Sequence, residues 1–259
     1  MIKKAVIQAG GKGTRLYPVT LEMPKPLLTV RRKPILNYLI EFLVKYGIDE
    51  PIVVIHKDHQ EDYKWWRKRY ARVLPKKLKV FVEPEPLGTF GGLKFLEQDL
   101  RESFIFTNGD ELKSFDLRVL INEHIANPVK PHATIALFKV PNPNDYGVAV
   151  LKGRRIEQFI EKPKNPPSNF INSGLALLEP EIFDYAGWFS SLRGSGHPFG
   201  GSPGGRQSHD NINKDFLMIE RDIYPKVALA GKLAGYKIKN GKWFDCGTLD
   251  RWERAIKEW

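Results

Sequence analysis

The chain has one cysteine, Cys246, in 259 residues. A single thiol excludes an intrachain disulfide and any metal centre made of several cysteines, and such sparing use suits a reducing compartment. No apolar run is long enough to span a bilayer. The start, Met1-Ile2-Lys3-Lys4, lacks the apolar core of a signal peptide, so we expect a cytoplasmic protein. There is no Ser-His or Cys-His nucleophile motif, which argues against covalent catalysis of that kind. There is also no internal repeat. Acidic residues are scarce: 30 against 41 Lys and Arg, giving a net charge of +11. That balance suits an anionic partner, whether nucleic acid, membrane surface or phosphorylated small molecules, and equally suits a solvated basic surface.

What is present is ordinary for a soluble globular protein: 42% hydrophobic and 27% charged residues. The length allows one large domain or two small ones. The most informative stretch is near the start. Ala5-Val6-Ile7 reads as a buried strand and runs into Ala9-Gly10-Gly11-Lys12-Gly13-Thr14-Arg15-Leu16. Glycines let backbone amides turn toward a ligand and form an anion nest. Arg15 and Lys25, the latter in Pro24-Lys25-Pro26-Leu27, add fixed positive charge, so a polyphosphate is the natural guest. The loop is not a Walker A motif, because Lys12 is followed by Gly13. It is not the dinucleotide fingerprint either, because Leu16 stands at the third glycine. On the glycines alone, a tight turn without a ligand reads as well.

Hydrophobic spacing predicts helices over 35–46, 61–72, 92–100, 219–229 and 249–259. Strands are expected at 52–55, 78–82, 104–106, 133–140, 147–151, 156–160, 173–178 and 236–238. In the first half strand and helix alternate, which implies a doubly wound, mostly parallel sheet. Ligands bind beyond the strand ends in such sheets, where the glycine loop and Asn108-Gly109-Asp110 would meet. The second half reads as a smaller antiparallel subregion. Residues 187–213 are rich in Gly, Ser, Pro, His and Asn. We expect a mobile loop there, and its composition suits solvent exposure more than a lid. In the basic run Lys64–Arg72, Tyr63, Trp66 and Tyr70 share a helical face. An amphipathic helix explains the run better than a nucleic-acid or membrane contact.

The pattern Gly10-Gly11-Lys12-Gly13-Thr14-Arg15-Leu16 with Pro24-Lys25-Pro26 resembles the signature of the sugar-1-phosphate nucleotidylyltransferases. Further segments resemble that family in its own order: Glu83-Pro84-Glu85-Pro86-Leu87-Gly88-Thr89, Asn108-Gly109-Asp110, Tyr146-Gly147, Glu161-Lys162-Pro163, Asn172-Ser173-Gly174, and Trp243-Phe244-Asp245-Cys246-Gly247-Thr248. The resemblance therefore runs from the first strand to the last helix. It implies a single Rossmann-like domain over 1–259, with 1–130 binding the nucleotide and 131–259 the sugar phosphate. The left-handed β-helix of many relatives is not expected.

The resemblance also implies roles. Ala9, Gly10, Gly11, Gly13 and Thr14 would hold the nucleotide phosphates. Glu83 and Gly88 would read the base, and a carboxylate at 83 suits the paired donor edge of guanine. Asp110 and Asp245 would ligate Mg²⁺, the implied cofactor, with Asp110 also touching the nucleotide; hard oxygen donors suit that ion. Gly147, Glu161, Lys162, Asn172 and Gly174 would bind the sugar phosphate. Arg15, Lys25 and Lys162 would be catalytic. Cys246, where relatives commonly carry Ile or Thr, has no chemical role.

The expected reaction joins an NTP and a sugar 1-phosphate into an NDP-sugar with release of pyrophosphate. The Glu83 loop looks most like the mannose-1-phosphate guanylyltransferases, which implies GTP, mannose 1-phosphate and GDP-mannose. Glucose-1-phosphate thymidylyl or uridylyl and heptose-1-phosphate guanylyl transfer remain open. A non-catalytic regulatory paralogue is disfavoured, because Arg15, Lys25, Asp110, Lys162 and Asp245 are all retained. A glycosyltransferase is disfavoured because no D-x-D motif appears at Asn108-Gly109-Asp110. We expect no nucleic-acid or membrane partner and leave a homo-oligomer open.

Overall fold

The structure is a computed structural model that describes residues 2–186 and 216–259. The Gly-rich 187–213 stretch expected to be a mobile loop lies outside the described residues. In chain order the strands are β1 (Lys4–Gln8), β2 (Thr29–Val30), β3 (Lys33–Pro34), β4 (Glu50–His56), β5 (Lys79–Glu83), β6 (Phe104–Asn108), β7 (Glu111–Phe115), β8 (Ala133–Lys139), β9 (Gly147–Lys152), β10 (Arg155–Glu161), β11 (Phe170–Leu178), β12 (Leu233–Lys237) and β13 (Gly241–Asp245). The α-helices are α1 (Val19–Glu22), α2 (Ile35–Lys45), α3 (Gln60–Arg69), α4 (Gly88–Gly91), α5 (Leu117–Ile125), α6 (Tyr224–Leu229) and α7 (Leu249–Glu258).

Nine strands form one sheet in the order β5-β4-β1-β6-β11-β8-β12-β10-β9. The half β5-β4-β1-β6 is parallel throughout. β11 runs antiparallel to both β6 and β8 and opens the mixed half, in which β10 pairs antiparallel with β9 and β12. This is the doubly wound sheet with an antiparallel subregion. The subregion continues the same sheet rather than standing beside it.

Strand residues point alternately to opposite faces. Val6, Ile52, Val54, Phe104 and Phe106 accordingly enter one core, together with Phe90, Leu93 and Tyr224. Their neighbours Ala5, Ile7, Val53, Ile55 and Ile105 enter the other, under α2, α3 and α5. A third, smaller core lies beneath α7 and includes Cys246, whose thiol is buried and held well above its ordinary pKa by that burial. Among the described residues no helix is long and apolar enough to cross a membrane.

Several elements differ from the sequence reading. Residues 92–100 give only a 3-10 turn over Gly92–Leu96, continuing α4. The 219–229 segment opens as a π-helical turn, Ile219–Ile223, before α6. Pro225 stands in the first turn of α6 and lacks an N–H, so a regular helical ladder cannot pass through it. The pair β7 and β13 and the helix α5 have no clear apolar period. β7 and β13 form a short ribbon of their own, and α5 buries His124 where the period wants an apolar residue.

The aromatic face of α3 packs as expected: Tyr63 and Trp66 are buried, while the cations stay outside. The Trp66 indole N–H donates to Asn37 Oδ1 at 2.7 Å inside the core. Asn37→Leu should strand that donor and cost about 1–3 kcal/mol. Urea unfolding should show a lower midpoint with an unchanged slope. An unchanged midpoint would mean that the indole finds another partner.

Candidate active site

The parallel strands β1 and β6 end side by side, with Gln8 opposite Asn108. Just beyond these ends lies a cleft of 260 Å³. The near wall comes from the loop after β1 (Ala9, Gly11, Arg15), from Lys25, and from Asp110 after β6. The far wall comes from the antiparallel half. Gly147 and Glu161 face each other in the β9–β10 register, and Asn172 and Gly174 sit at an irregularity in β11. Lys162 closes that end. Asp245, the last residue of β13, lies opposite Glu111 at the start of β7 and so reaches the same cleft as Asp110.

The structure therefore brings together eleven of the expected residues: Ala9, Gly11, Arg15, Lys25, Asp110, Gly147, Glu161, Lys162, Asn172, Gly174 and Asp245. Gly10, Gly13, Thr14, Glu83 and Gly88 do not line the wall. Gly13 instead turns the chain into a 3-10 turn at Thr14–Leu16 with φ +64°, and the Thr20 hydroxyl ties its carbonyl at 2.8 Å. Glu83 lies behind the glycine loop, with its carboxylate against Gly10 and Gly92, because β5 ends one strand further from the cleft than β4 does. Its Oε1 is buried without a hydrogen-bond partner. Burial raises the Glu83 pKa to about 7, against a smaller opposing effect from Gln8.

The charges in the cleft are arranged in pairs. Burial alone would raise the Asp110 pKa, but Lys25 Nζ, ion-paired to Oδ2, holds it below the ordinary value, with Lys113 assisting. Burial likewise opposes the charge on Lys25, and Asp110 outweighs it, so the lysine pKa is raised. Asp245 accepts the Gly247 N–H at 2.6 Å on Oδ1 and Arg251 Nη1 at 2.6 Å on Oδ2. Arg251 also binds Asp145, and its guanidinium stands 5.1 Å from the centre of the Tyr146 ring. Glu111 takes Asn108 Nδ2 at 2.9 Å on one oxygen; on the other it takes Trp243 Nε1 at 2.7 Å and faces the fully buried Lys113 ammonium at 3.0 Å.

Asp110 and Asp245 thus present hard oxygens to one cavity from two different elements, and Asp110 is held ionised. Magnesium is commonly bound by one or two carboxylates plus substrate phosphates rather than by an all-protein cage. The donor set fits that mode. Among the described residues no group of three or more His, Cys, Asp and Glu is arranged as a cage.

The sequence reading missed several cleft residues. Asn108 and Glu111 flank Asp110, so adjacency alone marks them. Gln8 ends a strand whose apolar centre draws the attention. Thr89 and Glu220 meet through a hydrogen bond of 2.8 Å between positions 131 residues apart, and no local pattern announces that contact.

A glycine loop with two cations at parallel strand ends, faced by two carboxylates, defines an α/β protein with a charged cleft at the strand ends. The chain belongs to the nucleotidyl transferase family, whose model matches residues 4–258. It is 32% identical over 250 residues to mannose-1-phosphate guanylyltransferase 1 of Arabidopsis thaliana, an alignment taking in 94% of this chain and 61% of that protein. It is also 32% identical over 252 residues to the mannose-1-phosphate guanylyltransferase catalytic subunit beta of Xenopus tropicalis, with the same coverage of 94% and 61%. The chain therefore spans 61% of the length of these curated relatives. Among solved structures, a Bacillus anthracis protein provisionally assigned as a glucose-1-phosphate thymidylyltransferase, in complex with a sucrose, has a TM-score of 0.80 at 26% identity and covers 98% of this chain and 94% of that one.

Gly88 anchors the loop behind the cleft. It has φ +77°, and a Cβ there would stand 2.5 Å from the Leu217 carbonyl oxygen. Gly88→Ala should therefore destabilise the protein by more than the roughly 1–2 kcal/mol of a left-handed L-residue alone. A thermal melt reads this as a lowered midpoint. A wild-type midpoint would show that the loop gives way freely.

Proposed function

We propose that this cleft transfers a nucleotidyl group from an NTP, GTP in our reading, to a sugar 1-phosphate, mannose 1-phosphate in our reading. The products are GDP-mannose and pyrophosphate. The observation that carries this is the meeting in one cleft of Arg15 and Lys25 with the Asp110–Asp245 pair on one side and Glu161, Lys162 and Asn172 on the other. The first set suits a triphosphate and the second a phosphorylated sugar. The names of the relatives at 32% identity support the guanylyl and mannose readings.

In this reading a phosphate oxygen of the sugar 1-phosphate attacks the α-phosphorus of the nucleotide, and the bond to the β-phosphate breaks. No covalent enzyme intermediate is needed. The protein positions the reactants and neutralises charge. Arg15 stabilises the departing pyrophosphate, Lys162 holds the attacking phosphate, and Lys25 stands between the two anions. Gly10, Gly13 and Thr14 shape the loop whose amides face the nucleotide. Glu161 and Asn172 hold sugar hydroxyls, with Gly147 and Gly174 allowing close approach. Asp110 and Asp245 would hold Mg²⁺, which supplies further neutralisation of the phosphates. The halves 1–130 and 131–259 serve nucleotide and sugar phosphate respectively, in the cytoplasm and with neither nucleic acid nor membrane as partner. Pyrophosphate release measured over four NTPs and a panel of sugar phosphates tests the whole reading. Preference for dTTP with glucose 1-phosphate would move it to the thymidylyl class, which the Bacillus neighbour favours.

Asp110→Asn and Asp245→Asn should each lower turnover at least about a hundredfold; Asp110→Asn also strips Lys25 of its partner, so turnover is compared per folded molecule. Metal charge stabilisation is worth several kcal/mol, and each 1.36 kcal/mol is about tenfold. Near-wild-type turnover at saturating Mg²⁺ in either variant would remove the two-carboxylate site.

Glu83 lies behind the glycine loop with Oε1 unpartnered beside Gly92; in our reading its carboxylate pairs with the two adjacent donors of guanine, N1–H and the N2 amino group. Glu83→Gln should lower the GTP:UTP ratio of kcat/KM by about one to two powers of ten, by analogy with a bidentate base contact worth roughly 1–3 kcal/mol. Because burial raises this carboxyl to about 7, only its ionised form offers both acceptors. The GTP:UTP ratio in the wild type should therefore rise from pH 6 to pH 8, by about tenfold if the protonated form does not bind, and stay flat in the variant. UTP carries the same triphosphate, so its titration cancels. The stability contribution has the opposite sign: a raised carboxyl pKa favours the fold at low pH, and the benefit is lost as pH rises through about 7. A pH-independent ratio would separate Glu83 from base reading.

A further inference from the structure

Three cleft carboxyls have no part in the reaction above: Glu111, Asp145 and Glu220. Glu111 is taken up by Asn108, Trp243 and Lys113, and Asp145 by Arg251. Glu220 differs. Among the described residues its carboxyl is held by the Thr89 hydroxyl, which donates to Oε2 at 2.8 Å, and by its own backbone N–H. No cation is paired with it among the described residues, and it lines the cleft.

The backbone around Glu220 is built to hold it still. It sits in the π-helical turn Ile219–Ile223, and such widened turns occur frequently at functional sites. The Ile219 N–H donates to the same Thr89 hydroxyl at 2.9 Å. The Leu217 N–H donates to the Leu87 carbonyl at 2.9 Å, and the Phe90 N–H to the Leu217 carbonyl at 2.8 Å. With the Gly91 N–H, which also donates to the Leu217 carbonyl at 3.2 Å, these hydrogen bonds stitch the strip carrying Glu220 to the loop around Gly88. Burial raises the Glu220 pKa to about 7, and the charges of Glu161 and Glu111 act in the same direction. Near neutrality the group can donate as well as accept, which matches a hydroxyl, itself both donor and acceptor. Glu161 lines the same cleft, at the end we assign to the sugar.

We infer that Glu220 determines sugar specificity: its carboxyl hydrogen-bonds one hydroxyl of the sugar 1-phosphate, with Thr89 holding Oε2. This rests on the reading of the cleft as a nucleotidylyl-transfer site and adds to it a residue that selects the sugar. A site built to hydrogen-bond a hydroxyl rejects the analogue that lacks it, because its own polar group is then left unpaired.

The experiment uses mannose 1-phosphate and its 2-, 3-, 4- and 6-deoxy analogues with the wild type, Glu220→Ala and Glu220→Gln. In the wild type, deletion of one particular hydroxyl should cost about tenfold or more in kcat/KM, the scale of a hydrogen bond to a carboxyl. In Glu220→Ala the same deletion should cost less than about twofold, while the KM for GTP stays within about twofold; the penalty disappears with its partner. Glu220→Gln keeps an oxygen for Thr89 and should melt like the wild type while showing a reduced penalty at the same hydroxyl. Equal deoxy penalties in wild type and both variants would overturn the assignment. If no sugar 1-phosphate in a wider panel supports pyrophosphate release by the wild type, the proposed reaction fails separately. Calorimetric binding of the same deoxy series then judges Glu220: a hydroxyl-specific loss present only in the wild type supports it, and an unchanged pattern or no binding at all overturns it.

Discussion

The ion pair between Lys25 and Asp110 is the contact on which the cleft depends. Neither group is far from the interior, with side-chain exposures of 13% and 20%. Each would be unstable there as a lone charge. Breaking a buried pair by removing one partner typically costs about 3–5 kcal/mol, most of it the penalty of the charge left behind. The pair joins the loop after β1 to the end of β6. Those two strands are neighbours in the parallel sheet, so sheet register and charge pairing support one another. The pairing leaves the ammonium oriented and the carboxylate ionised.

The second half of the chain completes the cleft by a different route. β11 enters antiparallel beside β6, and its irregularity around Gly174 brings Asn172 and Gly174 to the ends of the parallel strands. The β7–β13 ribbon lies outside the main sheet and serves mainly to set Asp245 opposite Glu111. Arg251, on α7, then fixes one oxygen of Asp245 while the Gly247 amide fixes the other. The last helix thereby supports a residue in the centre of the site. Trp252 and Trp259, both partly buried, pack against the third core and keep α7 in place.

The acids of the cleft divide by environment. Asp110 is held ionised by two lysines, while burial favours the protonated forms of Glu83 and Glu220 near neutrality. Similar chemical groups therefore differ in hydrogen-bonding behaviour in the cleft and just behind it. A charged oxygen suits phosphate-bound metal, and a protonatable one suits hydroxyls and base edges.

By itself the sequence determined the local features. Alternating apolar residues specify the strands, because side-chain direction repeats every two residues. Glycines and flanking cations specify the opening loop, because backbone freedom and charge are properties of neighbouring residues. Asp110 and Asp245 are legible for the same reason: each lies within a short motif at a strand end. The tertiary structure decided which group meets which. Lys25 and Asp110 are 85 residues apart, Thr89 and Glu220 131 apart, and Trp243 and Glu111 132 apart. No local period encodes such contacts. They follow from strand order and register, which only packing of the whole chain selects. For that reason Glu83 stands behind the cleft rather than on its wall, and Glu220, unremarkable in an apparent helix, stands within it.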